Sequence, residues 1–330
     1  MNINAPDYQY DKIPAGLPNY FTRDALRLFH FQVKQNEIYR AFVRSFHPNP
    51  ETIPALEKIP FLPVSFFKTQ AVKTGSFIPE IIFESSGTTG QLVSKHEVAS
   101  IALYRESILR GFNLFYGPVT DYCIIGLLPS YLERSGSSLV FMVDLLINRS
   151  NHPKSGFYLY AYKELHELLL QLEKKQQKTL LIGVSFALLD FAAQFPMHLQ
   201  HTLVMETGGM KGRREEITRI QLHETLKQAL GVREIHSEYG MTELLSQAYS
   251  GDAGLYRPVP WMKMLVRKED DPLEVQLTGE GLLNIIDLAN RDSCSFVATD
   301  DLAKVYSDGS FEVLGRMDNS DLRGCSLLSV

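Results

Sequence analysis

Cysteine is scarce in this chain. There are three in 330 residues, Cys123, Cys294 and Cys325, and none forms a Cys-x-x-Cys pair. A disulfide framework is therefore excluded. Long runs of one charge are also missing: 33 basic residues stand against 38 acidic ones, for a net charge of −5. A duplex-binding protein needs a basic face to neutralise phosphates, so the balance argues against nucleic acid as a partner. Long apolar runs are lacking too. The longest stretch, Leu180 to Phe195, is interrupted by Gly183, Ser185 and Asp190, and it falls short of the ~20 apolar residues of a membrane span. It divides better into a strand, Thr179 to Val184, and a helix beginning near Ser185. Met1 to Lys12 is mostly polar and holds no apolar core of a secretory leader. No internal repeat or low-complexity segment is present. These absences lead us to expect a cytoplasmic globular protein without a membrane span. The 45% hydrophobic and 22% charged content fits that class, and the length suits two domains or one large α/β unit.

The patterning that is present predicts an α/β fold. Residues 20–46 read as helical, and the proline-spaced stretch from Pro48 to Pro63 reads as an extended connector, because proline disfavours helix at the residue before it. From Ile81 the pattern becomes strand, loop, helix. Ile81-Ile82-Phe83 reads as a buried strand, Tyr122 to Leu128 as another, and Ser138 to Ile147 as a packed helix. Tyr158 to Lys174 is amphipathic, with Leu165, Leu168, Leu169 and Leu172 on one stripe. A strand at Leu203 to Glu206 runs into the turn Thr207-Gly208-Gly209. A helix follows from about Arg213 to Leu230, stopped by Gly231, and then a strand at Val232 to Ile235. Such alternation implies a largely parallel sheet with helices packed on it. Beyond Leu255 the pattern changes to short strands and turns. We therefore expect an N-terminal helical segment and connector at 1–63, an α/β nucleotide-binding core at 64–254, a β-rich subdomain at 255–315, and a hinge and tail at 316–330.

Chemistry concentrates at three strand–loop junctions. The first is Glu84-Ser85-Ser86-Gly87-Thr88-Thr89-Gly90, with Lys95 close behind. Its glycines allow close backbone approach, and its hydroxyls and bare N–H groups supply donors to anionic oxygens, as in a phosphate cradle. A polar linker turn is the alternative. The second junction is Gly208-Gly209. The third, Glu238-Tyr239-Gly240-Met241-Thr242-Glu243, supplies an aromatic plane, a hydroxyl and a carboxylate within a few residues. An aromatic ring can stack on a purine, a hydroxyl can hold a phosphate oxygen, and a carboxylate can ligate Mg²⁺. Here the alternative is a structural turn with a solvated acid. Cys123 lies within an apolar strand and reads as core, and Cys294 reads as an ordinary loop or strand residue. His198 and His201 share an i, i+3 spacing but have no third ligand near in sequence. Residues 132–138 form a loop leading into a helix N-terminus, able to face either an acyl site or the phosphates.

Taken in order, these residues resemble the adenylate-forming enzymes, namely acyl-CoA synthetases, luciferases and peptide-synthetase adenylation domains. Ser85 to Gly90 is similar to their phosphate loop, and Tyr239 to Glu243 to their Tyr-Gly-x-Thr-Glu motif. Thr299-Asp300-Asp301 resembles the family's Thr-Gly-Asp, with Asp300 in place of glycine. Gly315-Arg316-Met317-Asp318 matches Gly-Arg-x-Asp. The resemblance implies ATP and Mg²⁺ as cofactors. It places Ser85, Ser86, Gly87, Thr88, Thr89, Gly90 and Lys95 at the phosphates, and Gly208, Gly209, Tyr239 and Gly240 at the adenine. Thr242 falls to a phosphate oxygen, Glu243 to the metal, and Asp301 with Arg316 to the ribose. It also implies a large domain with mainly parallel β-sheets flanked by helices, plus a smaller β-rich subdomain.

Within that superfamily the chain resembles the LuxE-like acyl-protein synthetases, through its N-terminal helical stretch, Ile59-Pro60-Phe61-Leu62-Pro63 and Phe66-Phe67-Lys68. That likeness implies activation of a fatty acid as acyl-adenylate, followed by transfer to a cysteine near the C-terminus. Cys325 is in that position, beside Arg323 and Gly324 in an electropositive setting that favours the thiolate. An acyl-accepting reductase, a carrier protein or coenzyme A is the implied partner. A coenzyme A ligase of phenylacetate type and a non-catalytic nucleotide- or acyl-adenylate-binding subunit are the alternatives. The departure lies at the end. The sequence stops twelve residues after Asp318, so the family's small lysine-bearing domain is expected to be absent or reduced to a tail.

Overall fold

A computed structural model describes residues 18–85, 92–128, 136–208, 217–251 and 254–317. The chain divides into two compact units, residues 1–78 with 260–330, and residues 79–259. The first unit opens on α1 (Pro18–Gln35) and α2 (Glu37–Phe46). The single helix expected over 20–46 is broken at Asn36, whose side chain accepts the Tyr39 N–H at 2.9 Å and caps α2. The break has a packing reason. The Asn36 amide also donates to Ser293 O (3.1 Å), while buried Gln32 donates to Arg291 O (2.8 Å) and accepts from Ser295 N (3.0 Å). The helices thus share in satisfying the backbone of the 290–295 loop. Tyr39 stacks on Phe296 with ring centroids 5.9 Å apart. The proline-rich connector holds two short 3₁₀ turns, Pro50–Thr52 and Leu56–Lys58, before β1 (Leu62–Pro63) and α3 (Phe66–Thr69).

The second unit begins with an antiparallel ribbon, β2 (Ile81–Glu84) and β3 (Lys95–Val98), followed by α4 (Ile101–Tyr116), β4 (Cys123–Leu127), α5 (Ser138–Ser150) and β5 (Gly156–Phe157). Then come α6 (Tyr162–Lys174), β6 (Thr179–Val184), α7 (Ser185–Gln194), β7 (Thr202–Thr207), α8 (Arg219–Leu230), β8 (Ile235–Tyr239), β9 (Ala248–Ser250) and β10 (Leu255–Pro258). Strands β5, β4, β6, β7 and β8 pair in parallel in that order, and β9 and β10 continue antiparallel. Every residue of β4 and β6 is buried, as parallel strands covered on both faces require.

Two sequence expectations shift here. The run Ile81-Ile82-Phe83 is not a buried strand of the main sheet: it forms the separate ribbon, and Ile82 is exposed. Only Phe83 is inward, packed on Tyr104 and Phe141 at centroid distances of 5.3 and 5.6 Å. The strand expected at 232–235 instead starts at Ile235 and runs to Tyr239, because Arg233 and Glu234 are exposed whereas Ile235, Ser237 and Glu238 are buried.

The first unit resumes with β11 (Met262–Arg267), β12 (Val275–Gln276), β13 (Gly279–Asp287), β14 (Phe296–Val305) and β15 (Phe311–Arg316). They form an antiparallel sheet in the order β12–β11–β13–β14–β15, and β1 adds to β14 in parallel. β13 and β14 are longer than the short strands read from the sequence. Apolar residues fill both faces of β13, with Leu282, Leu283, Ile285 and Ile286 all buried.

Candidate active site

The ribbon positions the first motif. Ser85 closes it, donating its N–H to Ser94 O (3.0 Å) while its Oγ accepts from Ser94 N (2.9 Å). Glu84 N donates to Gly136 O at 2.8 Å and anchors the outer edge. Ser86, Gly87, Thr88, Thr89 and Gly90 lie outside the described residues. Lys95 sits directly opposite Glu84, and its ammonium lies 3.5 Å from that carboxylate. Both side chains are exposed, so the pair is weakly held and leaves Lys95 able to exchange partners.

His96 faces the other way, since successive strand residues alternate sides, and it is fully buried. Its Nδ1 lies 2.8 Å from Thr242 O, 146 residues along the chain. A carbonyl only accepts, so Nδ1 carries the proton. One hydrogen bond thereby joins the loop-bearing ribbon to the Tyr-Gly-x-Thr-Glu turn. The sequence reading missed His96, and no local pattern marks it.

At the end of β8, Tyr239 is half-buried, with its ring edge-on to Tyr256 at 5.9 Å. Gly240 sits close to the acid on the strand behind it: a Cβ there would meet Glu238 Oε1 at 2.5 Å, so the Glu238 carboxylate would have to shift. Thr242 is half-buried, whereas Glu243 is 4% exposed. The solvated-acid alternative for Glu243 is thus set aside, because this side chain is buried.

Behind the turn, neighbouring strands place acids on opposite faces of the sheet, for Glu206 aligns with Ser237 and Thr207 with Glu238. On one face Thr207 Oγ1 donates to Glu238 Oε2 at 2.5 Å. Burial pushes the Glu238 carboxyl up to about 7; the Thr207 hydrogen bond opposes this and the Glu206 charge adds to it. On the other face Glu206 lies 3.2 Å from Ser185 Oγ and 3.7 Å from both Arg219 Nε and His223 Nε2. Ser185 Oγ also donates to Gly208 O at 2.8 Å, fixing a residue whose φ of +68° suits glycine. The Arg219 guanidinium lies 5.2 Å from the centroid of the Tyr256 ring. A continuous chain of contacts therefore joins Gly208 to Tyr239 through Ser185, Glu206, Arg219 and Tyr256. Gly209 is outside the described residues.

In the other unit, Asp301 and Arg316 face each other across β14 and β15, with Nε and Oδ1 4.0 Å apart. Asp301 is largely buried and Arg316 extends into solvent, at 17% and 64% side-chain exposure. The pair read from two separate motifs is brought together. Asp318 and Cys325 lie outside the described residues.

Among the described residues no group of three or more His, Cys, Asp or Glu side chains is arranged to hold a metal. Mg²⁺ needs no such cage: one or two carboxylates beside substrate phosphates suffice, and Glu243 beside Thr242 fits that donor set. Cys123 and Cys294 are fully buried, and burial pushes their thiols up to about 11 and about 12. Cys294, read as an ordinary loop or strand residue, is a core residue. No described helix is long and apolar enough to cross a membrane.

Comparison with known proteins identifies the fold and the family. No curated protein matches the chain. Among solved structures it is similar to an open conformation of 2-hydroxyisobutyryl-CoA ligase in complex with 2-HIB-AMP and CoA, at a TM-score of 0.66 and 9% identity over 91% of this chain and 70% of that one. It is also similar to apo MatB from Rhodopseudomonas palustris, at a TM-score of 0.53 and 15% identity over 72% of this chain and 48% of that one. ATP-bound MatB from the same organism gives a TM-score of 0.53, with 15% identity over 71% of this chain and 47% of that one. The chain thus spans about half the length of MatB. These likenesses show the fold of adenylate-forming ligases. The family model described as "Acyl-protein synthetase, LuxE" matches residues 15–329, and the chain belongs to that family.

Proposed function

We propose that this chain activates a fatty acid with ATP, releasing pyrophosphate and forming an acyl-adenylate, and then passes the acyl group to a thiol, first that of Cys325. The observation that carries the reading is the His96 tether, which fixes the Thr242–Glu243 turn to the ribbon bearing Ser85 and Lys95. In this reading a carboxylate oxygen attacks the α-phosphorus, the bond to the β-phosphate oxygen breaks, and pyrophosphate leaves. The nucleophile is already anionic, so no side chain needs to remove a proton. Catalysis then rests on placement and charge neutralisation. Lys95 and the Ser85–Gly90 loop would hold the β- and γ-phosphates, and the Thr242 hydroxyl a phosphate oxygen. Tyr239 and the Gly208–Gly209 and Gly240 backbones would pack on the adenine. Glu243 would hold Mg²⁺, which when bound neutralises phosphate charge. The assignment of Asp301 and Arg316 to the ribose rests on their motifs.

In the second step the Cys325 thiolate attacks the acyl carbon and AMP leaves. The state of the other two cysteines supports this choice, because both are buried with raised thiol pKa values and are poor thiolates at neutral pH. An acyl-accepting reductase or carrier protein in the cytoplasm would take the acyl group onward. One observation favours a second reading, transfer to coenzyme A: the similar 2-hydroxyisobutyryl-CoA ligase was captured with an acyl-adenylate and CoA.

The test is acid-dependent ATP–pyrophosphate exchange by the purified chain. Absence of both exchange and ATP binding would sink the adenylation reading. Incubation with acid and ATP should add hydroxylamine-labile mass to the protein. Cys325→Ser should abolish that mass and leave exchange intact, whereas persistent labelling removes Cys325 from the pathway. Thioester released only on addition of coenzyme A would favour the second reading.

A further inference from the structure

β14 departs from regular pairing where its motif lies. Leu282 pairs with Leu302 and Asn284 with Ala298, so Leu283 alone faces Thr299, Asp300 and Asp301. A second irregularity lies on the other side, where Leu302 pairs with Gly315 and Ala303 with Val313. Bulges of this kind re-aim side chains, and they must be held because their backbone groups leave the ladder. Thr299 and Arg267 brace this one with their side chains. Thr299 Oγ1 donates to Leu283 O (2.9 Å) and accepts the Asp301 N–H (3.1 Å). Arg267, at the end of β11, reaches across β13: its guanidinium donates to Leu283 O (3.2 Å), Asn284 Oδ1 (2.8 Å) and Thr299 O (2.7 Å). A planar fork with fixed donors can span three acceptors on two strands, which a lysine cannot. Burial lowers the Arg267 pKa, and the Asp300 charge works against that; an arginine stays charged regardless.

We propose that Arg267 is a positioning residue, holding the Thr299–Asp301 bulge so that the Asp301 carboxylate is presented beside Arg316. The proposal rests on the reading of that pair as the ribose contacts. Arg267 itself touches neither nucleotide nor acid in this scheme, and acts only through the carbonyls of Leu283 and Thr299 and the side chain of Asn284.

The experiment compares dissociation constants of ATP and 2′,3′-dideoxy-ATP for the wild-type chain and the Arg267→Met, Arg267→Lys and Asp301→Asn variants. Hydrogen exchange across residues 299–302 is measured alongside. The wild type should prefer ATP by on the order of tenfold, the scale of a hydrogen bond to a charged group. Asp301→Asn and Arg267→Met should both lose that preference, and Arg267→Met should also expose the Asp301 amide to exchange. Arg267→Lys should lie between, and it decides the matter if the methionine variant does not fold. If the Arg267 variants keep the full preference, or leave the Asp301 amide protected, Arg267 is only structural and the proposal falls. If Asp301→Asn keeps the full preference, or the wild type shows no discrimination, the ribose reading itself falls and takes the proposal with it.

Discussion

The Ser85–Lys95 ribbon and the Asp301–Arg316 strand pair carry motifs of one superfamily, yet they are built differently. The ribbon is a separate two-stranded sheet with an exposed Glu84–Lys95 pair, held by Phe83 packing, the Glu84 N–H and a His96 bond to Thr242. The Asp301 bulge is set within an antiparallel sheet and braced by a guanidinium with three acceptors. Isolated two-stranded ribbons are marginal without packing on something else. The difference teaches that two motifs of one superfamily can rest on unlike supports, one lightly tethered and one rigidly braced.

Substitutions can break or sharpen that contrast. Glu243→Gln should have the largest effect, lowering acid-dependent exchange by about 10²-fold or more, the scale seen when one preorganised electrostatic contact is removed. A variant with normal exchange would remove Glu243 from the metal role.

Glu238 should show itself in pH dependence rather than in turnover. Its carboxyl is held at about 7 in the fold against an ordinary 4.5, so the folded state binds the proton more tightly than the unfolded chain. Its contribution is therefore fully present below about 4.5 and is lost as pH rises through about 7. Glu238→Gln should flatten that fall and stabilise the protein at pH 8 by up to about 3 kcal/mol, the free-energy equivalent of that gap. Denaturant melts at pH 5 and pH 8 measure it, and an unchanged difference between the two would refute the burial effect.

His96→Leu should cost about 1–3 kcal/mol by stranding the Thr242 carbonyl and should lower exchange on the order of tenfold. His96→Asn, whose amide can stand where Nδ1–H does, should recover most of the exchange. Equal losses in both variants would mean that ring volume, and not the hydrogen bond, is what matters. Lys95→Ala should have the smallest effect on stability, under about 1 kcal/mol for an exposed pair, while raising the KM for ATP. An unchanged KM would leave Lys95 as a surface partner of Glu84.

Much of this was legible in the sequence, and the limits have physical causes. Fully buried strands such as Thr179–Val184 are readable because burial on both faces writes a continuous apolar run. Gly231 marks the end of α8 because the left-handed cap leaves a glycine signature. The Tyr239–Glu243 turn was legible for the same reason, since its chemistry is packed into five consecutive residues. The supports were not. His96 meets Thr242, Ser185 meets Gly208 and Arg267 meets Thr299 across gaps of 146, 23 and 32 residues, and nothing local to any of them records the partner. The ribbon was misread as a buried strand because Ile81 and Ile82 are apolar although only Phe83 is covered.

The most direct measurement follows oxygen. A carboxylic acid labelled with ¹⁸O in its carboxylate is incubated with the full chain, ATP, Mg²⁺ and a thiol acceptor, and the nucleotide products are weighed by mass spectrometry. Attack on the α-phosphorus, followed by acyl transfer, leaves one labelled oxygen on AMP, with pyrophosphate as the other product. Label in orthophosphate with ADP as the nucleotide, or unlabelled AMP, would contradict acyl-adenylate formation.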